Sequence, residues 1–537
     1  MRILLGLFLF GLLLYLPGSG SRRFWGNDEN RYAVVARHMA EDGGSLALLE
    51  NHGKPYSDKP PFLFWCVTLS SRVAGSLDEA SARLPVAVFG AATLALTFVF
   101  GLAAFGARVG LVAALLLGSA GEFFWLSRRL AFDPILAFWV TLAAFGFFLG
   151  FERGRRRAYY AAFAAMAFAT LSKGPIGIVF PLAGLLAFAL VSGPRARLRE
   201  VPWLTGFLLL AAILSIWLVP AAIEGGRDFL NDLVFRQQFD RTTGERGHAK
   251  PFYFYLEAFP AGFLPWTPLL LAAPFLARSG AFGTGPERRG AAYCGAFFVA
   301  GFVFLSVLTT KRNLYAIPLF PAAALLSAAA LDAGWRGAAG RLSPWLASYP
   351  AAVLAAAGAL GLAAAFALPG LLGVSPGEAA LAIPAVAVPA IAGFALHVRR
   401  RSGVLVSLGA TAAGAGIFFG LVLAPARDPS ESNAALARDL ASRLGPGDRV
   451  AVYRIQPHEM LYYTGLRRVE EPADARALAA LRDAPERLFV VVEDKHVDEV
   501  KAVFAGRAEE IVAPGGPAPG GLLAAKDKDR LHVFVTR

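Results

Sequence analysis

The chain is expected to fold as a polytopic α-helical membrane protein with amphipathic helices along one membrane surface and a small carboxyl-terminal α/β domain. Three observations predict this. Of the 537 residues 56% are hydrophobic and only 17% charged, with a mean hydropathy of +0.52. That is too apolar for a soluble protein of this size and too interrupted for one buried core. Apolar runs of roughly 20 residues, each long enough to cross a bilayer, recur up to Pro425. From Asp428 onward the pattern changes to short strands alternating with helical stretches.

The apolar runs fall near 3–20, 82–104, 107–126, 134–151, 158–172, 175–191, 202–222, 262–277, 290–309, 313–331, 346–369, 377–397 and 403–424. They make about thirteen helices by that length rule. Residues 1–18 carry one arginine, Arg2, and lack an A-x-A cleavage pattern, so they read as an uncleaved span. Cys66 and Cys294 sit in apolar surroundings and suggest neither a disulfide framework nor a thiolate metal site.

The net charge of +13 does not point to nucleic acid. With a cytoplasmic amino terminus, every second loop is basic: Arg108; Arg153 to Arg157; Arg195, Arg197 and Arg199; Arg278, Arg288 and Arg289; Arg336 and Arg341; Arg399 to Arg401. This is the positive-inside bias. It places the first loop (21–81), the large loop (223–262) and the carboxyl-terminal domain (426–537) outside the cytoplasm, leaving 1–425 as the membrane domain.

Several cations break that bias near span ends on the outer side: Lys59, Arg128, Arg129, Lys173, Arg241, Lys311 and Arg312. A shared anion at the membrane face explains them, since charges near a bilayer are expensive. Snorkelling to lipid phosphates is the lesser alternative for two or three of them.

In the first loop, 28–41 reads as an amphipathic helix with Tyr32, Val35, Ala36 and Met39 on one face and Asn27 as its N-cap. The acidic pair Asp28 and Glu29 opens it. Lys59-Pro60-Pro61 then starts a second short segment to about Ser71. Asp133 precedes a proline at the start of a span, where an N-cap and a functional carboxylate read alike. The outer loop 224–262 begins as an amphipathic helix through Arg241 and ends in the aromatic run Phe252 to Tyr255, suited to the interface. His248 has no second histidine at metal-ligand spacing. The carboxyl-terminal domain lacks a Gly-rich phosphate loop after its first strand, which argues against a nucleotide. There His458, Glu459, Tyr462 and Tyr463 read as internal packing.

Taken in order, these pieces resemble the integral-membrane glycosyltransferases of the GT-C fold: Asp28-Glu29 with Arg31-Tyr32-Ala33, Ser57-Asp58-Lys59-Pro60-Pro61, Asp133, Ser172-Lys173-Gly174-Pro175, Arg241 before Lys250-Pro251-Phe252-Tyr253, Leu264-Pro265-Trp266, and Thr310-Lys311-Arg312-Asn313-Leu314-Tyr315. The likeness is greatest to the bacterial branch of lipid A aminoarabinose transferases and protein O-mannosyltransferase-like enzymes.

The resemblance implies a polyprenyl-phosphate-linked sugar donor, no nucleotide, inversion at the sugar carbon, and a lipid A, glycan or protein acceptor at the periplasmic face of a bacterial inner membrane. By position it implies Asp28 as catalytic carboxylate, with Glu29 second. Lys59, Arg241 and Tyr315 become phosphate ligands, and Asp133 and Lys173 further site members. Lys311, Arg312 and Arg128 are candidate phosphate-binding cations. Some relatives place a divalent metal with an acid before the Lys-Pro and a histidine before the arginine. Here Asp58 stands in the first place and Arg236, Gln237 and Gln238 in the second, so the implied metal rests on Asp58 alone. A transporter or flippase of a lipid-linked anion is the alternative. It is disfavoured by the lack of an inverted repeat and of mid-span charges.

Overall fold

The computed structural model describes residues 1–41, 43–191, 195–233, 249–399, 403–482, 485–512 and 531–536. All thirteen apolar stretches fall on helical segments. Among the described residues eight helices are long and apolar enough to cross a membrane by themselves, and a ninth crossing is offered by Phe254–Gly262 with Thr267–Arg278, bent by 112° between them. Arg2–Tyr15, Ala107–Gly118 and Ile176–Val191 are shorter apolar helices. Outward-facing leucines and phenylalanines such as Leu204, Leu208 and Phe366 cost little where the surrounding solvent is hydrocarbon.

Two ends of the bundle differ chemically. The helix Asp133–Arg153 rises roughly 30 Å at 1.5 Å per residue. At its far end Glu152 pairs with Arg289, Arg197 donates to the Phe151 carbonyl and Arg153 to that of Ala103. At its near end the Asp28 helix packs against it. That basic end is the one the charge pattern assigns to the cytoplasm.

The first-loop helix runs Gly26–Ala40, beginning two residues earlier than expected, with Trp25 rather than Asn27 at the N-cap. Gly26 adopts φ 70° at its start. Tyr32, Val35, Ala36 and Met39 are all buried, each large apolar one contributing about 1.5–3 kcal/mol. They share one core with Phe64 and Phe132 below and with Ala437, Leu440, Met460 and Leu461 above. The helix is thus sandwiched between the spans and the carboxyl-terminal unit. Phe62–Ala74 forms the second short helix.

The carboxyl-terminal unit holds a four-stranded sheet. Arg449–Tyr453 pairs parallel with Leu488–Glu493, which pairs antiparallel with Leu531–Thr536, itself flanked by Ala508–Val512. The alternating apolar residues of the central strands are buried on both faces, consistent with helices such as Ala434–Arg443 and Val497–Phe504 covering them.

His458, Tyr462 and Tyr463, expected to pack inside this unit, instead face the first loop. Tyr463 Oη accepts from Phe24 N at 2.8 Å and donates to Glu79 at 3.0 Å, and Tyr462 Oη donates to the Leu77 carbonyl. From the other side Arg37 donates to the carbonyls of Leu461, Tyr462 and Leu466 at 2.7–3.0 Å. Glu459 does stay internal, accepting from Ser432 and Asn433.

Just past the first helix, Gly18 meets Gly420 of the helical span Val404–Glu431 backbone to backbone. A Cβ on Gly18 would collide with the Gly420 carbonyl, and one on Gly420 with the Pro17 carbonyl. Ser21 closes the contact by donating to Gly420 O at 2.7 Å.

Candidate active site

Five parts of the chain meet beside the amino end of the Asp28 helix: that helix, Lys59, the turn 126–133, the junction 173–179 and the stretch 304–315. They enclose a cavity of about 490 Å³ lined by Asn27, Asp28, Lys59, Arg129, Asp133, Lys173, Thr310, Arg312 and Tyr315 together with apolar side chains. Seven of the expected site residues, Asp28, Glu29, Lys59, Asp133, Lys173, Arg312 and Tyr315, therefore line one cavity although they come from distant parts of the chain.

Asp28 is held by two arginines, Arg312 at 2.7 Å and Arg31 at 2.8 Å, on different oxygens. Burial alone would raise its carboxyl, but Arg312, Arg31 and nearby Lys59 outweigh that and hold it below the ordinary value. Asp28 in turn raises Arg312 against the opposing effect of burial. Asp133 is no cap: it is the first residue of its helix, behind Phe132, and its buried carboxylate pairs with Lys173. The Lys173 ammonium also lies 4.6 Å over the Tyr315 ring, a cation–π contact that orients both. Lys59 Nζ donates to the Asp58 carbonyl at 3.2 Å.

Three expected site residues have other work. Glu29 is buried, with Arg22 at 2.8 Å and Arg83 at 3.1 Å on its carboxylate. It also accepts from Trp25 N at 3.0 Å and Leu130 N at 2.8 Å. Its oxygens are filled by the protein, so it knots the Asp28 helix to the bundle and is not poised for chemistry. Arg128 turns away from the cavity: it donates to the carbonyls of Leu14 and Pro17 and stacks on Phe124 and Phe419. Its neighbour Arg129, grouped with it among the out-of-place cations, reaches the cavity instead, donating to Trp25 O at 2.6 Å. Lys311 bonds the carbonyls of Lys250 and Leu308 and so braces the segment that carries Arg312. Arg241 lies outside the described residues, as do Arg236, Gln237, Gln238 and His248.

Asp58 sits 4.0 Å from Arg31, a cation where a metal ligand would need another acid or imidazole. Among the described residues no three His, Cys, Asp or Glu side chains gather into a metal site. The described residues around Asp58 do not fit a divalent metal.

Fold and site together define a multi-pass membrane protein with a cation-rich cavity at one membrane face. The comparisons narrow this. Residues 58–219 match the dolichyl-phosphate-mannose-protein mannosyltransferase family. An undecaprenyl phosphate-alpha-4-amino-4-deoxy-L-arabinose arabinosyl transferase from Sodalis glossinidius is 29% identical over 335 residues, 60% of this chain and 57% of that protein. The protein of the same description from Pectobacterium carotovorum is 29% identical over 373 residues, 66% and 64% of the two chains. The chain spans about three-fifths of the length of such curated relatives. ArnT from Cupriavidus metallidurans, bound to undecaprenyl phosphate, superposes with a TM-score of 0.76 over 99% of this chain and 97% of that one, at 22% identity. The oligosaccharyltransferase AglB from Archaeoglobus fulgidus does so at 0.58, covering 92% and 69%, at 14% identity. The chain has the GT-C fold, and its sequence is similar to aminoarabinose transferases and, over residues 58–219, to the protein-mannosyltransferase family.

Proposed function

We propose that the protein is a glycosyltransferase moving a sugar from a polyprenyl phosphate, undecaprenyl phosphate in a bacterial inner membrane, to a lipid A, glycan or protein acceptor on the periplasmic face. The observation that carries this reading is the convergence of Asp28, Lys59, Arg129, Asp133, Lys173, Arg312 and Tyr315 on one cavity. Similarity to aminoarabinose transferases supports the donor class.

In the reaction an acceptor oxygen bonds the anomeric carbon while the bond from that carbon to the phosphate oxygen breaks. The bonding pair leaves with the polyprenyl phosphate, so negative charge grows on its oxygens. Lys59, Arg129, Lys173 and Arg312 are preset cations for that charge, worth more beside hydrocarbon than in water. Arg241 joins them by the resemblance. Arginine suits two-point contact with phosphate and lysine a point charge.

Asp28 orients the acceptor. Two arginines make it a weak base, and a weak base strips a proton from a hydroxyl poorly. It therefore suits an acceptor whose attacking oxygen is already ionised, as on a lipid A phosphate, better than an alcohol.

The test is transfer of radiolabel from an undecaprenyl-phosphate-linked sugar by protein reconstituted in vesicles. Label should become covalently attached to acceptor, and Asp28→Asn and Lys59→Ala should abolish attachment while the protein stays folded. Label that crosses the bilayer unattached would replace this reading with a flippase.

A further inference from the structure

One of the contacts between the carboxyl-terminal unit and the Asp28 helix reaches the cavity itself. His458 is buried, its Nδ1 lies 2.8 Å from Asn27 Oδ1, and its Nε2 lies 3.1 Å from Asn51 Nδ2. An amide oxygen only accepts, so Nδ1 carries the proton. Nε2 then offers a lone pair, to which the Asn51 amide donates. One neutral tautomer satisfies both bonds. Burial, with repulsion from Arg31 and His52, lowers the ring to about 4, which keeps that tautomer in place at neutral pH.

The consequence falls on Asn27. This exposed residue precedes Asp28 and lines the cavity. With its oxygen taken by His458, its amide nitrogen is left to the cavity, and among the described residues no protein group accepts from it. An asparagine amide is nearly symmetric in shape. Unheld, it presents oxygen as readily as nitrogen, and oxygen repels an anionic or hydroxylated ligand.

We propose that Asn27 is a substrate-binding residue whose amide N–H₂ donates to an oxygen of the lipid-linked donor, and that His458 is the positioning residue that holds this amide nitrogen-inward. The site is then completed by the carboxyl-terminal unit. This rests on the transferase reading above.

The experiment uses the full chain in nanodiscs with a labelled undecaprenyl-phosphate-linked sugar, comparing Asn27→Ala, His458→Ala, His458→Asn and the Asn27→Ala/His458→Ala double variant. Loss of one donated hydrogen bond should raise the donor KM about ten-fold in Asn27→Ala, with His458→Ala close to it and the double variant no worse than either, because the two act as a unit. His458→Asn, whose side-chain nitrogen stands near the old Nδ1, should recover most of the loss. Sugar-free undecaprenyl phosphate separates the two possible acceptor oxygens. Weaker binding of it to Asn27→Ala places the bond on phosphate, whereas unchanged binding with a raised KM for the intact donor places it on the sugar. Wild-type KM in Asn27→Ala, or losses that multiply in the double variant, would overturn the proposal while leaving the transferase reading intact. A wild-type protein that attaches no label overturns the transferase reading instead.

Discussion

Two adjacent acids, Asp28 and Glu29, should respond oppositely to the same conservative change. Glu29→Gln keeps the shape and removes one negative charge from a pocket where the side chain is 1% exposed. One oxygen accepts from Arg83 Nε and Leu130 N, the other from Arg22 Nη1 and Trp25 N. Whichever oxygen becomes –NH₂, two donors then face a donor, and buried Arg22 and Arg83 lose their counter-charge. Breaking a buried pair by removing one partner costs about 3–5 kcal/mol, a large share of a typical domain's net stability of about 5–15 kcal/mol. The expected result is a marked fall in the thermal midpoint of the detergent-solubilised protein and a poor folded yield. Asp28→Asn, at a carboxylate 27% exposed, should melt as wild type does. Burial would raise Glu29, but Arg83, Arg22 and Arg129 outweigh it and hold it well below the usual carboxylate range. Its stabilisation is thus complete above the unfolded value of about 4.3 and is lost only as pH falls through the lower folded one. A Glu29→Gln protein with wild-type thermal stability but no turnover would refute this reasoning and return Glu29 to the chemistry.

Arg312→Gln removes the cation 2.7 Å from Asp28, so the Asp28 pKa should rise. The acid limb of the transfer-rate profile, set by loss of the ionised form as pH falls, should move to higher pH, and an unmoved limb would exclude Asp28 from that step. The neighbouring arginines should separate cleanly. Arg129→Met is expected to weaken binding of undecaprenyl phosphate while the protein melts normally, and Arg128→Met to lower the melting point, because it strands the Leu14 and Pro17 carbonyls. The converse pattern in a lipid-binding and melting assay would reverse their assignment. Raising ionic strength should weaken undecaprenyl phosphate binding only modestly, since a cavity beside hydrocarbon is poorly screened.

Hydropathy and charge order carried much of this architecture. Every apolar stretch lies on helix, and beyond Asp428 short strands such as Arg449–Tyr453 and Leu488–Glu493 do alternate with helices. The site was legible as far as charges out of place revealed it: Lys59, Lys173 and Arg312 stand on the wrong side of the positive-inside pattern and do meet Asp28 and Asp133. What pattern could not divide was the Arg128–Arg129 pair. Consecutive residues in a turn point different ways, and only the packing of the first helix against the last span decides which one is swallowed. Glu29, ranked behind Asp28, could be placed no further for a related reason: its arginine partners, Arg22 and Arg83, lie on either side of the helix in sequence and come together only in the fold. Asn27 looked like a helix cap because its true partner, His458, is more than four hundred residues away.

The backbone contact of Gly18 with Gly420 also sets a clock. A chain made from its amino end delivers the acid-bearing helix early, since nascent segments fold in order of synthesis, yet the surface against which its root is pressed is made about four hundred residues later. Until that span is threaded, Ser21 lacks the Gly420 carbonyl and the unit bearing His458 has not arrived. A partly made protein therefore holds the charges of its cavity before the contacts that fix the root of the Asp28 helix can form.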